Sequence, residues 1–175
     1  MQSVSSDRCI EIIGDVNTDS IKNVMGKLRE LVEKDREAWI NFFITSPGGE
    51  AIVGFALYDL ALMLKPKLQT IGLGRISSMG VSLFLMGEYR VIGPRASIFL
   101  HEVGSQFRKD VRLSVSQHRR ELQKSENTQR IYREIIAERT GGKITADQAI
   151  EMMLTETLLD APKAVELGFA HEILR

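Results

Sequence analysis

The sequence predicts an α/β protein built on a largely parallel sheet with crossover helices. Two observations carry this: apolar runs of strand length alternate with longer segments of helical periodicity, and Gly, Pro or Ser stands at nearly every junction between them. The third is compositional. Hydrophobic residues make up 43% and charged residues 26% of the 175, and 23 Lys+Arg balance 23 Asp+Glu, as in a chain able to bury one ordinary core. At roughly 150 residues per domain, the length points to one domain over residues 1–175.

Taken in order, residues 9–13 (CIEII) alternate loosely and stop at Gly14-Asp15, as a short strand does. Thr18 or Asp19 can cap the helix that follows, where Ile21, Val24, Met25, Leu28, Leu31 and Val32 recur at helical spacing. Residues 40–45 (INFFIT) form an apolar run ended by Ser46-Pro47-Gly48-Gly49, where Pro removes a donor and the glycines open conformations closed to other residues. From 51 to 64, AIVGFALYDLALML is apolar almost all round with Asp59 its only charge, so the helix it predicts needs cover on every side. Pro66 ends that helix, and residues 68–73 (LQTIGL) read as the next strand. GRISSMG then leads, as a small-residue turn, into an apolar helix over 81–86, followed by strands at 89–92 and 97–100.

Residues 116–130 (SQHRRELQKSENTQR) differ in kind, with Leu122 the one large apolar side chain among them. A helix there is about 22 Å long. Being polar all round, it cannot lie on the core and must project into solvent or toward a partner. Gly141-Gly142 stop it, Thr145 and Gln148 fit a capping box, and Asp160-Ala161-Pro162 opens a last helix that ends at Gly168.

Several classes are excluded by composition. No uncharged stretch exceeds 12 residues, against the roughly 20 that a bilayer-spanning helix needs. The start, MQSVSSDR, lacks the basic-then-apolar pattern of a secretion signal, and the lone Cys9 cannot form an internal disulfide; both point to the cytoplasm. Three histidines and one cysteine form no cluster at zinc spacing. Residues 112–139 carry seven Lys/Arg against four Glu, a net +3 too modest for a nucleic-acid surface.

The strongest local chemical signal is Gly74-Arg75-Ile76-Ser77-Ser78-Met79-Gly80. A serine between a buried strand and an apolar helix either caps the helix or is held exposed beside unpaired backbone N–H groups. It is not the G-x-S-x-G elbow of α/β-hydrolases, since Ile76 stands where that motif needs glycine. Ser46-Pro47-Gly48-Gly49 supplies a second set of backbone donors at a strand end, and His101 closes a third strand-like run, ASIFLH. Consecutive parallel strands end at one edge, where the three can meet.

ITSPGGEAIVGFALYDLALMLKP, IGLGRISSMGVSLFLMG, ASIFLHE and LLDAPKAVELGFAHEIL, in this order, closely resemble the proteolytic subunit of Clp proteases. The resemblance runs from Cys9 to the C-terminus. It implies the crotonase-like fold, stacked β-α-β units with a projecting handle over about residues 103–140, and a serine endopeptidase that hydrolyses peptide bonds inside an oligomeric chamber. It further implies Ser78 as nucleophile, His101 as general base, and the Gly49 and Met79 backbone amides as oxyanion donors. No metal or organic cofactor is implied. The implied partners are peptide or unfolded-protein substrates, further copies of the chain in a heptameric ring, a second stacked ring and an AAA unfoldase.

Three departures from the family pattern stand out. Aligning on Ala161-Pro162 puts Glu156 where the family has its triad aspartate, with Asp160 and Asp147 as the other candidates. After His101 the family has a proline and a glycine-rich strand that pairs with substrate and helps join the rings, whereas residues 102–109 here (EVGSQFRK) hold one glycine. Only eight residues precede Cys9, shorter and less apolar than the family's axial loops. Two other readings stand beside the peptidase: an acyl-CoA hydratase or isomerase on the same fold, in which Ser78 and His101 have no role, and a non-catalytic ring subunit, favoured by the substituted triad acid.

Overall fold

A computed structural model describes residues 5–104 and 112–175. After a 3-10 turn at Ser6–Arg8, the order is β1 (Cys9–Ile13), α1 (Thr18–Lys34), β2 (Ile40–Ser46), α2 (Ala51–Leu64), β3 (Leu68–Ser77), α3 (Met79–Leu85), β4 (Tyr89–Ile92) and β5 (Ser97–Phe99). The C-terminal part adds α4 (Val115–Arg139), α5 (Ala146–Leu154), β6 (Leu158–Asp160), α6 (Ala161–Glu166) and β7 (Glu172–Ile173). Among the described residues the strands form one sheet in the order β1-β2-β3-β4-β7, with β5 on β3 and β6 on β5. Every pairing is parallel except β5 with β6, as expected of βαβ units whose helices cover the sheet.

Local chemistry explains most boundaries. The side chain of Asn17, rather than Thr18 or Asp19, caps α1: it accepts from the Ser20 N–H while the Ser20 hydroxyl accepts from the Asn17 N–H. Ser114 and Gln117 do the same for α4, Thr145 and Gln148 for α5, and Asp160 caps α6 with Pro162 in its first turn. Ile21, Val24, Leu28, Leu31 and Val32 bury the apolar stripe of α1. The buried Arg8 guanidinium ties the end of that helix to the next loop by donating to the carbonyls of Leu31, Asp35, Ala38 and Trp39. Arg90 does likewise at the other end of the chain, donating to the Gly87, Arg139, Gly168 and Phe169 carbonyls, and burial lowers its pKa to about 10.

Three expectations are corrected. GRIS is not a turn: β3 continues through it to Ser77, because the chain finds a new partner in β5 where β4 ends. The helix after it starts at Met79, two residues before the apolar run predicts. The apolar helix α2 is covered on one side only, with Gly54, Leu57, Tyr58, Leu60 and Ala61 buried while Ile52 and Met63 remain 85% and 70% exposed. The polar helix is longer than its polar stretch. Residues 115–131 of α4 are largely exposed, and its last turns dock through Tyr132, Ile135 and Ile136. The glycine-poor segment read after His101 lies outside the described residues beyond Gly104. No helix among the described residues is long and apolar enough to cross a membrane.

Candidate active site

Because β2, β3 and β5 are parallel, the segments that leave them emerge at one edge of the sheet. The register decides which residues meet there. Ile44 pairs with Gly72, but Ser46 pairs with Ile76, so β3 carries two extra residues as a bulge that Gly74 absorbs at φ 60°. Ser46 and Pro47 are thereby drawn level with the end of β3. The Ser46 hydroxyl pins the loop that follows, donating to the Gly14 carbonyl at 2.6 Å and accepting from the Gly48 N–H at 3.1 Å.

Gly48 lies directly against the serine turn. A Cβ at this position would stand 2.5 Å from the Ser78 Cβ and 3.1 Å from the Met79 nitrogen, at a φ of 100° that other residues avoid. Gly49 forms a parallel bridge with Val16, made by Val16 N–H to the Gly48 carbonyl at 2.8 Å and Glu50 N–H to the Val16 carbonyl at 2.7 Å. In that pattern the flanking residues bond and the bridged residue's own N–H points the other way. The Met79 N–H is the first of α3, ahead of the helix's own hydrogen-bond ladder.

Ser78 adopts φ 51° and ψ −126°, a region that costs a residue with a Cβ about 1–3 kcal/mol. It occupies the N-cap position of α3, yet its hydroxyl makes no capping bond. The structure thus removes the capping alternative for Ser78, while Ser77 is buried at 3% exposure. Three main-chain bonds hold the strained residue: its N–H donates to the Phe99 carbonyl at 3.3 Å, and its carbonyl accepts from the Val81 N–H at 2.9 Å and the Tyr132 hydroxyl at 2.8 Å.

His101 follows β5 by two residues, and its ring stacks on Phe99 with centroids 5.7 Å apart. Its Nδ1 is 2.8 Å from the Glu102 carbonyl. A carbonyl only accepts, so the proton sits on Nδ1 and the Nε2 lone pair is left available to take a proton.

Gly49, Ser78, Met79 and His101 line one cavity of about 810 Å3. Four of the five predicted site residues therefore meet. Glu156 does not line the cavity, but the antiparallel register Ser97↔Asp160, Ile98↔Leu159, Phe99↔Leu158 is prolonged by the Leu100 N–H donating to the Thr157 carbonyl at 2.9 Å. The pairing ends there, and Glu156 is the next residue back along the chain from Thr157. Glu156 is also the left-handed residue that closes α5, at φ 50°, with its N–H on the Met153 carbonyl and the Thr157 N–H on the Met152 carbonyl. That is a Schellman end, where glycine is the ordinary choice. The two other carboxylate candidates are engaged elsewhere: Asp160 caps α6 through the Lys163 N–H at 2.9 Å, and Asp147 is 96% exposed and 3.8 Å from Arg133.

Sequence reasoning missed the wall opposite the strand ends. Lys124, Thr128 and Tyr132 of α4 line the cavity, and their i, i+4, i+8 spacing is the signal that could have placed them on one face. A second cavity of about 680 Å3, reached by Arg90, Arg139 and His171, is lined by neither serine nor cysteine. A family model described as Clp protease matches residues 1–175, the whole chain.

Proposed function

The chain belongs to the Clp protease family and is a peptidase of the Clp type; we propose that it is a serine endopeptidase subunit with Ser78 as nucleophile, His101 as base and then acid, Glu156 as the carboxylate behind the imidazole, and the Gly49 and Met79 amides as oxyanion donors. The observation that carries the reading is the convergence on one cavity of a serine hydroxyl unused for capping and a histidine whose tautomer leaves Nε2 free to accept.

In the reaction, Nε2 takes the Ser78 proton as Oγ attacks the scissile carbonyl carbon. The carbonyl oxygen becomes an oxyanion and receives the Gly49 and Met79 N–H groups, an interaction stronger in the transition state than in the substrate. The imidazolium then protonates the leaving amine, and water, deprotonated by the same Nε2, hydrolyses the acyl-enzyme. In this reading Glu156, which precedes the Thr157 carbonyl bonded to the Leu100 N–H, supplies the negative charge that stabilises the imidazolium.

We assign the subunit to a heptameric ring, stacked in pairs, whose chamber encloses the sites and receives peptide from an AAA unfoldase. The uncovered apolar side of α2 supports its use as a subunit contact, and the exposed polar length of α4 supports its use as the handle between rings. The test is labelling with a fluorophosphonate, read by intact mass, with native mass spectrometry reporting assembly. One adduct per wild-type subunit and none on Ser78→Ala is the expected result. An assembled wild type that takes no label, or a Ser78→Ala variant that does, overturns the assignment.

A further inference from the structure

The Ser78 carbonyl and the Met79 N–H are the two ends of one planar trans peptide, so whatever fixes the first aims the second. The carbonyl end is held by the Val81 N–H at 2.9 Å and by the Tyr132 hydroxyl at 2.8 Å. The Val81 bond belongs to the first turn of α3 and moves with it. The Tyr132 bond is different, because it comes from another element, α4, and reaches across 54 positions of sequence. Tyr132 is 4% exposed and borders the same cavity as Ser78. Burial pushes its phenol well above the ordinary value, so the hydroxyl remains a donor throughout the working pH range.

From this geometry we infer that Tyr132 is a positioning residue: by holding the Ser78 carbonyl it orients the Ser78–Met79 peptide so that the Met79 N–H faces the developing oxyanion. The inference rests on the oxyanion role proposed above. The strained backbone gives it force. At φ 51° and ψ −126°, relaxation of Ser78 turns about the bonds flanking its Cα and swings the following peptide, and with it the Met79 donor, away from the cavity. A hydroxyl on the carbonyl also polarises the peptide and makes its N–H a better donor.

The experiment compares wild type, Tyr132→Phe and Ser78→Ala. Turnover of a fluorogenic peptide gives kcat and KM, and a peptide boronate, whose tetrahedral adduct fills the oxyanion site, gives an inhibition constant. Tyr132→Phe removes one oxygen atom and leaves the Ser78 carbonyl bonded to Val81. The expected result is a fall in kcat of about tenfold, the scale of one lost hydrogen bond. KM is to change by less than about twofold, and boronate affinity is to fall in proportion to kcat. A general loosening of the fold moves KM and the melting temperature together with kcat and leaves no such split. Wild-type kcat in Tyr132→Phe overturns the inference, as does a fall in kcat with boronate affinity unchanged. Should the phenylalanine variant melt below the assay temperature, 3-fluorotyrosine at position 132 keeps the shape and strengthens the donor. A kcat above wild type then supports the inference, and an unchanged kcat overturns it. Failure of the underlying site reading has its own signature, since Ser78→Ala would then retain activity.

Discussion

Replacing Ser78 by alanine and by glycine is expected to give two inactive proteins whose order of stability is reversed from the ordinary one. Elsewhere, glycine destabilises a structured segment by about 0.5–1 kcal/mol relative to alanine, because the unfolded chain gains freedom. At φ 51° and ψ −126° the Cβ is the liability. Strain in this region is worth about 1–3 kcal/mol and disappears when the Cβ does. The net expectation is that Ser78→Gly is more stable than Ser78→Ala by about 0.5–2 kcal/mol. For a chain of this length that is a rise in melting temperature of about 2–6 °C. Alanine is the proper reference because it removes the hydroxyl, which makes no capping bond, and keeps the Cβ. Thermal melts at matched subunit concentration read the difference, with concentration held fixed because assembly itself shifts the midpoint. If Ser78→Ala melts at or above Ser78→Gly, the strain is not stored at this residue and the account of its backbone fails.

Two more predictions follow from neighbouring geometry. Glu156 holds a left-handed position at the end of α5, so Glu156→Gly is expected to stabilise the chain by about 1 kcal/mol while lowering kcat at least tenfold; a glycine variant with unchanged kcat removes Glu156 from the site. His171 accepts the Arg90 N–H at Nδ1 at 2.9 Å, and burial, then Arg90 and Arg139, hold its pKa below the ordinary 6.5. The unfolded ring therefore takes up its proton at a higher pH than the folded one, so the stability this residue contributes is present above about pH 6.5 and declines as pH falls below it. His171→Asn, whose amide oxygen can take the same N–H without titrating, is expected to flatten the loss of melting temperature between pH 7 and 5; an undiminished slope assigns that loss to other groups.

The elements of this protein were largely legible because their signals are local. A strand of apolar residues ending at Pro47, a helix ending before Pro66, and capping pairs such as Thr145 with Gln148 lie within a few residues of the boundaries they set. The gathering of Gly49, Ser78, Met79 and His101 was legible for a related reason: parallel strands joined by helices deliver their ends to one edge whatever the details. Where sequence reasoning went wrong, the cause was a partner distant in sequence. GRIS became strand because β5, twenty residues on, offered its backbone a ladder, and the left-handed backbone of Ser78 follows from the three bonds that hold it there.

The third carboxylate shows the division most clearly. Alignment on Ala161-Pro162 points to Glu156 ahead of Asp160 and Asp147, but the residues around each carboxylate do not say which of them comes near His101. The folded chain separates the candidates: Asp160 caps α6, Asp147 stands in solvent, and Glu156 directly precedes Thr157, whose carbonyl accepts from the Leu100 N–H next to His101. Tyr132 is the same case carried further. Its spacing from Lys124 and Thr128 puts it on a shared helix face but names no partner, and only the packing of α4 against α3 brings its hydroxyl to the Ser78 carbonyl. Sequence alone thus determined which groups were available and the edge at which they would meet, because propensity, caps and strand direction act over short stretches of chain. The aim of each group within that site was decided by the tertiary structure, since aim depends on hydrogen bonds between residues that only the folded chain makes neighbours.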